Sequence, residues 1–156
     1  MEIWTKPREA DHPLDADRAL DPGRVLIVDD DAAVRLVCAV NLEAAGLRVL
    51  EAADGLDGLE QARFRNPDLV LTDVRMPRLD GFGLAERLRR DDRTRRIPVI
   101  FLSGELGHAN AQRARALGAV AYLTKPFDPS SLASFVLREL AAARAGSSQL
   151  AATGAN

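Results

Sequence analysis

The sequence predicts an α/β fold: a five-stranded parallel sheet with helices on both faces. Two patterns carry the prediction. Short, continuous apolar runs recur along the chain, as expected of strands buried on both sides. Between them lie stretches with apolar residues at helical spacing, so strand and helix alternate five times. Length agrees, since 156 residues suit one ordinary domain and are too few for two of full size. Each crossover in such a sheet is expected to be right-handed.

The elements follow in order. Val25–Val28 is a continuous apolar run. Ala32–Ala45 carries Val34, Val37, Cys38 and Leu42 at helical spacing and is closed by Gly46. Leu47–Ala52 reads as a weaker strand, and Gly55–Arg65 as a helix ending near Asn66 and Pro67. Leu69–Thr72 is strongly apolar, and Gly81–Arg90 carries Phe82, Leu84, Ala85 and Leu88 on one helical face. Ile97–Leu102 is a third fully apolar strand, followed by a helix over Ala109–Leu117 that Gly118 closes. Ala119–Leu123 is the last strand and Pro129–Ala143 the last helix. Residues 1–23 are polar, acidic and aperiodic, and read as a flexible N-terminal arm. Residues 144–156 are rich in Ala, Gly and Ser and read as a flexible tail, leaving 24–143 as the folded domain.

Composition removes several function classes. A net charge of −2 and a pI near 5.7 provide no global field toward nucleic acid or membrane. The single cysteine, Cys38, permits neither an intrachain disulfide nor a thiolate metal cluster, and reads as a small buried residue on a helix. No apolar run approaches the roughly 20 residues that span a bilayer, and Met1–Arg8 lacks an apolar secretory core. A cytoplasmic protein with no membrane partner is expected. Of the 21 basic residues 19 are arginine, and the lysines are Lys6 and Lys125. In a chain that uses lysine so rarely, Lys125 stands out.

In doubly wound sheets, functional groups lie beyond the carboxyl ends of the strands. The residues that follow the strands here are Asp29, Asp30 and Asp31, then Asp73, then Ser103, then Thr124, Lys125 and Pro126. Asp31 is placed to cap the next helix. Asp29, Asp30 and Asp73 would repel one another in a partly dry cleft, and a divalent cation relieves that repulsion. An all-oxygen donor set suits Mg²⁺. Asp73 could attack a phosphoryl group to form an acyl phosphate. Charge on the phosphoryl oxygens would then be met by Mg²⁺, by the compact Lys125 ammonium and by the Ser103 hydroxyl. Taken alone, Ser103 reads as an ordinary loop residue before Gly104.

Four strings in this order resemble one family. They are Val25-Leu-Ile-Val-Asp-Asp-Asp31, Leu71-Thr-Asp-Val-Arg-Met-Pro-Arg-Leu-Asp-Gly81, Val99-Ile-Phe-Leu-Ser103 and Tyr122-Leu-Thr-Lys-Pro-Phe127. Together they resemble the receiver domain of two-component response regulators, over about Val25 to Leu140. The resemblance implies a flavodoxin-like (βα)5 three-layer sandwich with strand order 2-1-3-4-5. It implies that Asp73 is the phosphoacceptor, that Asp30 ligates Mg²⁺ directly and Asp29 through water, and that Arg75 offers its backbone carbonyl. Lys125 would pair with the phosphoryl group, and a cis bond before Pro126 would fix the loop. Ser103 and Tyr122 would form the switch: Ser103 moves toward the phosphoryl group and Tyr122 turns inward. That reshapes the face made by the fourth helix, fifth strand and fifth helix. Arg75 and Glu105 occupy the variable positions that tune phosphoryl lifetime, and are expected to approach each other across the mouth.

The implied function is a single-domain response regulator. It would take a phosphoryl group from a sensor histidine kinase or a histidine phosphotransfer protein and signal to a protein target in trans. It would not be an enzyme beyond Mg-dependent self-phosphorylation and autodephosphorylation. A phosphorelay intermediate and a degenerate receiver used as a constitutive interaction module are the alternatives, and a homodimer through the fourth helix, fifth strand and fifth helix is compatible with either. A flavin carrier is disfavoured, because Asp29-Asp30-Asp31 repels a phosphate that has no metal. An aspartyl phosphatase is disfavoured because Arg75 stands where a second acid is needed. The run Arg87-Leu-Arg-Arg-Asp-Asp-Arg-Thr-Arg-Arg96 reads as a solvated helix end and loop. With no recognition helix or stacking aromatic beside it, nucleic-acid binding is not expected.

Overall fold

A computed structural model describes residues 22–104 and 108–153, without the side chains of 108–109 and 146–153. The predicted N-terminal arm lies outside the described residues except for Pro22 and Gly23. Strand and helix alternate as β1 (Arg24–Val28), α1 (Ala32–Ala44), β2 (Arg48–Ala52), α2 (Gly55–Arg65), β3 (Leu69–Asp73), α3 (Gly81–Arg90), β4 (Val99–Ser103), α4 (His108–Ala116), β5 (Ala121–Thr124) and α5 (Pro129–Thr153). All pairings are parallel, in the order β2-β1-β3-β4-β5. The predicted fold class and strand order are therefore both observed.

Period-two alternation divides each central strand between two cores. Leu26, Val28, Val70, Val99 and Phe101 face α2, α3 and α4, where Leu59, Phe82, Leu84, Leu88 and Ala114 close the layer. Val25, Ile27, Leu69, Leu71, Ile100 and Leu102 face α1 and α5, meeting Cys38, Leu42, Leu132, Val136 and Leu140. This explains the continuous apolar runs: each face of the sheet has its own helical cover.

The boundaries move where local chemistry outweighs hydropathy. Ile97 belongs to a turn, its N–H donating to Thr94 O at 3.0 Å. Pro98 has no N–H to offer and uses its carbonyl on Val70 N at 2.9 Å, so β4 starts at Val99 and runs on to Ser103. At the last strand, Ala119 N–H donates back to Ala114 O at 3.0 Å around Gly118, whose φ is +77°. That closes α4 in left-handed geometry and delays β5 to Ala121. The largest correction is at the C-terminus, where helix continues past Ala143 to Thr153 rather than giving way to a tail. The segment is alanine-rich, and its one glycine, Gly146, costs a helix only about 1 kcal/mol.

Candidate functional site

The parallel sheet gathers the ends of β1, β3, β4 and β5 at one edge. Asp29 is almost fully buried there, at 1% exposure. Its Oδ1 accepts from Asp31 N–H at 2.9 Å and its Oδ2 from Lys125 Nζ at 3.0 Å. Arg35 Nη1 donates to the Asp29 carbonyl at 2.7 Å. Asp31 caps α1 as expected, accepting from Ala33 N–H.

Asp73 is half-buried at the end of β3. Its Oδ1 accepts from Val74 N–H at 2.8 Å, and its Oδ2 lies 3.6 Å from Lys125 Nζ. The next helix begins hard against it: a Cβ on Gly81 would stand 2.1 Å from the Asp73 carbonyl oxygen. Glycine is therefore a steric requirement at position 81.

The electrostatics follow from this crowding. Burial, and then the neighbouring Asp29 charge, raise the Asp73 carboxyl above its ordinary value despite the opposing pull of Lys125. For Lys125, burial disfavours the charged form. The hydrogen bond and charge of Asp29, with the charge of Asp73, outweigh it and raise the ammonium pKa. Lys125 thus stays charged throughout the physiological range.

One carboxylate oxygen from each of Asp29, Asp30 and Asp73 can be chosen so that all lie within 4.8 Å of one another. Their all-oxygen donors and mutual repulsion fit a hard divalent cation. Asp29 is buried, Asp73 half-buried and Asp30 exposed, so the group is anchored inside and open to solvent.

Ser103 is buried at the end of β4, and its carbonyl accepts from Lys125 N–H at 2.7 Å. The Lys125–Pro126 bond is cis. Tyr122 sits opposite Phe101 on β5 and packs, half-buried, against the core that holds Phe82. Arg75 is exposed in the loop after β3, and its expected partner Glu105 lies outside the described residues. Three participants escaped the sequence reading. Arg35 reaches back six residues to the Asp29 carbonyl, and the Asp29–Lys125 contact joins positions 96 residues apart. Arg78 holds a left-handed φ of 69° and lies 3.5 Å from Asp54 at the same edge. Only the glycine directly after the Asp80 cap signalled the close approach at Gly81.

The chain belongs to the response regulator receiver domain family, which matches residues 25–137. Over 106 residues it is 45% identical to the DNA-binding dual master transcriptional regulator RpaA of Synechocystis, covering 67% of this chain and 44% of that protein. Over 132 residues it is 41% identical to the transcriptional regulatory protein PdtaR of Mycobacterium tuberculosis, covering 83% and 61%. The chain thus spans about half the length of these curated relatives. Among solved structures it resembles the chemotaxis protein CheY4 of Vibrio cholerae, with a TM-score of 0.70 and 33% identity, over 74% of this chain and 96% of that one. A CheY-like receiver domain protein of Methanospirillum hungatei gives a TM-score of 0.74 at 28% identity, over 79% and 97%.

Receiver domains are phosphoacceptor signalling domains of two-component systems rather than enzymes in the usual sense. Among the described residues no helix is long and apolar enough to cross a membrane. Relatives named as transcriptional regulators, one of them DNA-binding, give no support to the expectation that nucleic acid plays no part.

Proposed function

We propose that Asp73 accepts a phosphoryl group from a histidine kinase or a histidine phosphotransfer protein, in a Mg²⁺-dependent reaction. The observation that carries this reading is the Asp73 carboxylate clustered with those of Asp29 and Asp30 and lying 3.6 Å from Lys125 Nζ. An Asp73 oxygen attacks phosphorus, and the bond from phosphorus to the donor nitrogen breaks. Lys125 meets the charge on one phosphoryl oxygen, and the Ser103 hydroxyl donates to another. Asp30 directly, Asp29 through water, and the Arg75 carbonyl would hold Mg²⁺, which supplies charge neutralisation when bound. Pro126 fixes the loop that presents Lys125. Arg75 and Glu105 restrict water at the mouth and so set the phosphoryl lifetime. Ser103 and Tyr122 carry the change to the α4–β5–α5 face, where a protein target binds in trans.

Incubation with phosphoramidate and Mg²⁺, followed by intact-mass measurement, tests the reading. Wild type gains one phosphoryl group, Asp73→Asn gains none, and chelation of the metal abolishes the gain. A wild type that stays unlabelled would identify a degenerate receiver instead.

A further inference from the structure

The pole opposite Asp73 is built from arginine. Parallel topology gathers there the first residues of the strands and the last turns of α2, α3 and α4. Those last turns carry Arg63 and Arg65, then Arg87, Arg89 and Arg90, then Arg115, while the Arg113 guanidinium turns onto the Phe82 ring at 4.6 Å. The helix dipole accounts for cations at helix C-termini. Two observations go beyond it.

First, a cleft of about 560 Å³ is lined by Arg63, Arg87, Arg90 and Arg93 together with Asp91 and Asp92. Its acids are already engaged: Arg63 lies 2.7 Å from Asp91, and Arg95 lies 3.3 Å from Asp92. Arg90 pairs with Glu86 at 2.6 Å. Among the described residues no carboxylate lies within ion-pair distance of the Arg87 or Arg93 guanidinium. The cleft therefore keeps surplus positive charge in the fork geometry that suits phosphate.

Second, Phe64 is 72% exposed on the outer face of α2. At 100° per residue, Arg63 and Arg65 flank it on opposite sides, with the buried Leu59 and Ala62 behind. Arg63 lines the first cleft. Arg65 lines a second one with Arg24, Arg48, the carboxylate of Glu43 and the apolar Leu47, Val49 and Leu50. The ring thus stands between two arginine-lined clefts. The Arg63–Asp91 pair also ties this aromatic to the arginine run over 87–96. The run has no aromatic of its own in sequence, and the fold supplies one from another helix.

We propose that this pole binds single-stranded nucleic acid, with Arg65, Arg87 and Arg93 on backbone phosphates and a base stacked on Phe64. Cationic grooves beside an exposed aromatic are what an unpaired strand needs, because every base offers a face to stack and phosphates recur along the backbone. A duplex hides its base faces and calls for an element that enters a groove. Helix ends form this surface, and they offer none. The site is remote from Asp73 and works independently of its phosphorylation.

Fluorescence anisotropy of the full chain with a labelled polyuridine 20-mer tests this. Binding is expected to weaken with salt, with a slope of about −0.7 in log K per phosphate contacted. Arg87→Glu with Arg93→Glu should cost about tenfold or more in affinity and flatten that slope. Phe64→Ala should cost about 5- to 100-fold and leave the slope unchanged. Arg138→Glu, an exposed change on α5, should bind like wild type. The proposal is overturned by absence of salt-dependent binding, or by a loss with Arg138→Glu equal to that with Arg87→Glu and Arg93→Glu combined. Unchanged affinity in Phe64→Ala, or equal affinity for a duplex of the same length, would also overturn it.

Discussion

Lys125 serves two carboxylates at once. Its Nζ lies nearer Asp29 than Asp73, 3.0 Å against 3.6 Å, so it compensates a buried charge as well as facing the proposed phosphoacceptor. Lys125→Met would leave Asp29 buried with one charge-assisted hydrogen bond removed. The expected cost is about 2 kcal/mol in urea unfolding, and a variant as stable as wild type would refute the structural role. Cys38 gives a pH prediction. Burial, and then the Asp29 charge, raise its thiol from an ordinary 9.0 to about 11. The folded chain keeps a proton that the unfolded chain gives up in that interval. The thiol's contribution is therefore full below pH 9 and is lost as pH rises through about 11. The stability gap between wild type and Cys38→Ala should shrink over that range, and a constant gap would contradict the assignment. At this scale the sequence was informative about single residues: Asp73, Asp30 and Lys125 stand out because each follows an apolar strand. Contacts were hidden. Asp29 and Lys125 are 96 positions apart, and nothing local to either names the other.

Elements were legible wherever one force dominated. β1, β3 and β4 are apolar on both faces because both faces are covered, and their hydropathy alone revealed them. Asp31, Asp54 and Asp80 each accept a backbone N–H at the start of α1, α2 and α3, so those helices begin where the caps stand. Boundaries set by glycine turns or by Pro98 were misplaced, because hydropathy runs through residues whose hydrogen bonds belong to the turn. The extension of α5 was missed for a related reason: a small-residue, low-hydropathy stretch resembles a tail until its helix propensity is counted. The tightest joint between elements is at Gly81, against the Asp73 carbonyl. Gly81→Ala must push backbone on backbone, and should cost about 2–3 kcal/mol in thermal or urea unfolding. A variant of unchanged stability would show that the α3 start can retreat freely.

Among the described residues, Asp29, Asp30 and Asp73 gather at the carboxyl edge of the sheet, and arginines fill the last turns of α2 and α3 at the opposite end, although the two signs nearly cancel over the chain. Composition showed only the cancellation, because the separation is a product of topology. Strand order was likewise available only through the resemblance to a family, since apolar runs announce a parallel sheet without ordering it. The same topology turns separate strand ends into one site, and the central claim is that the site's phosphoacceptor is Asp73. Borohydride reduction after phosphorylation tests it most directly, because it converts an aspartyl phosphate to homoserine, which peptide mass mapping can locate. The account predicts homoserine at position 73 and nowhere else in the chain. Homoserine at Asp29 or Asp30 with residue 73 unchanged, or phosphate held on a serine instead, would contradict it.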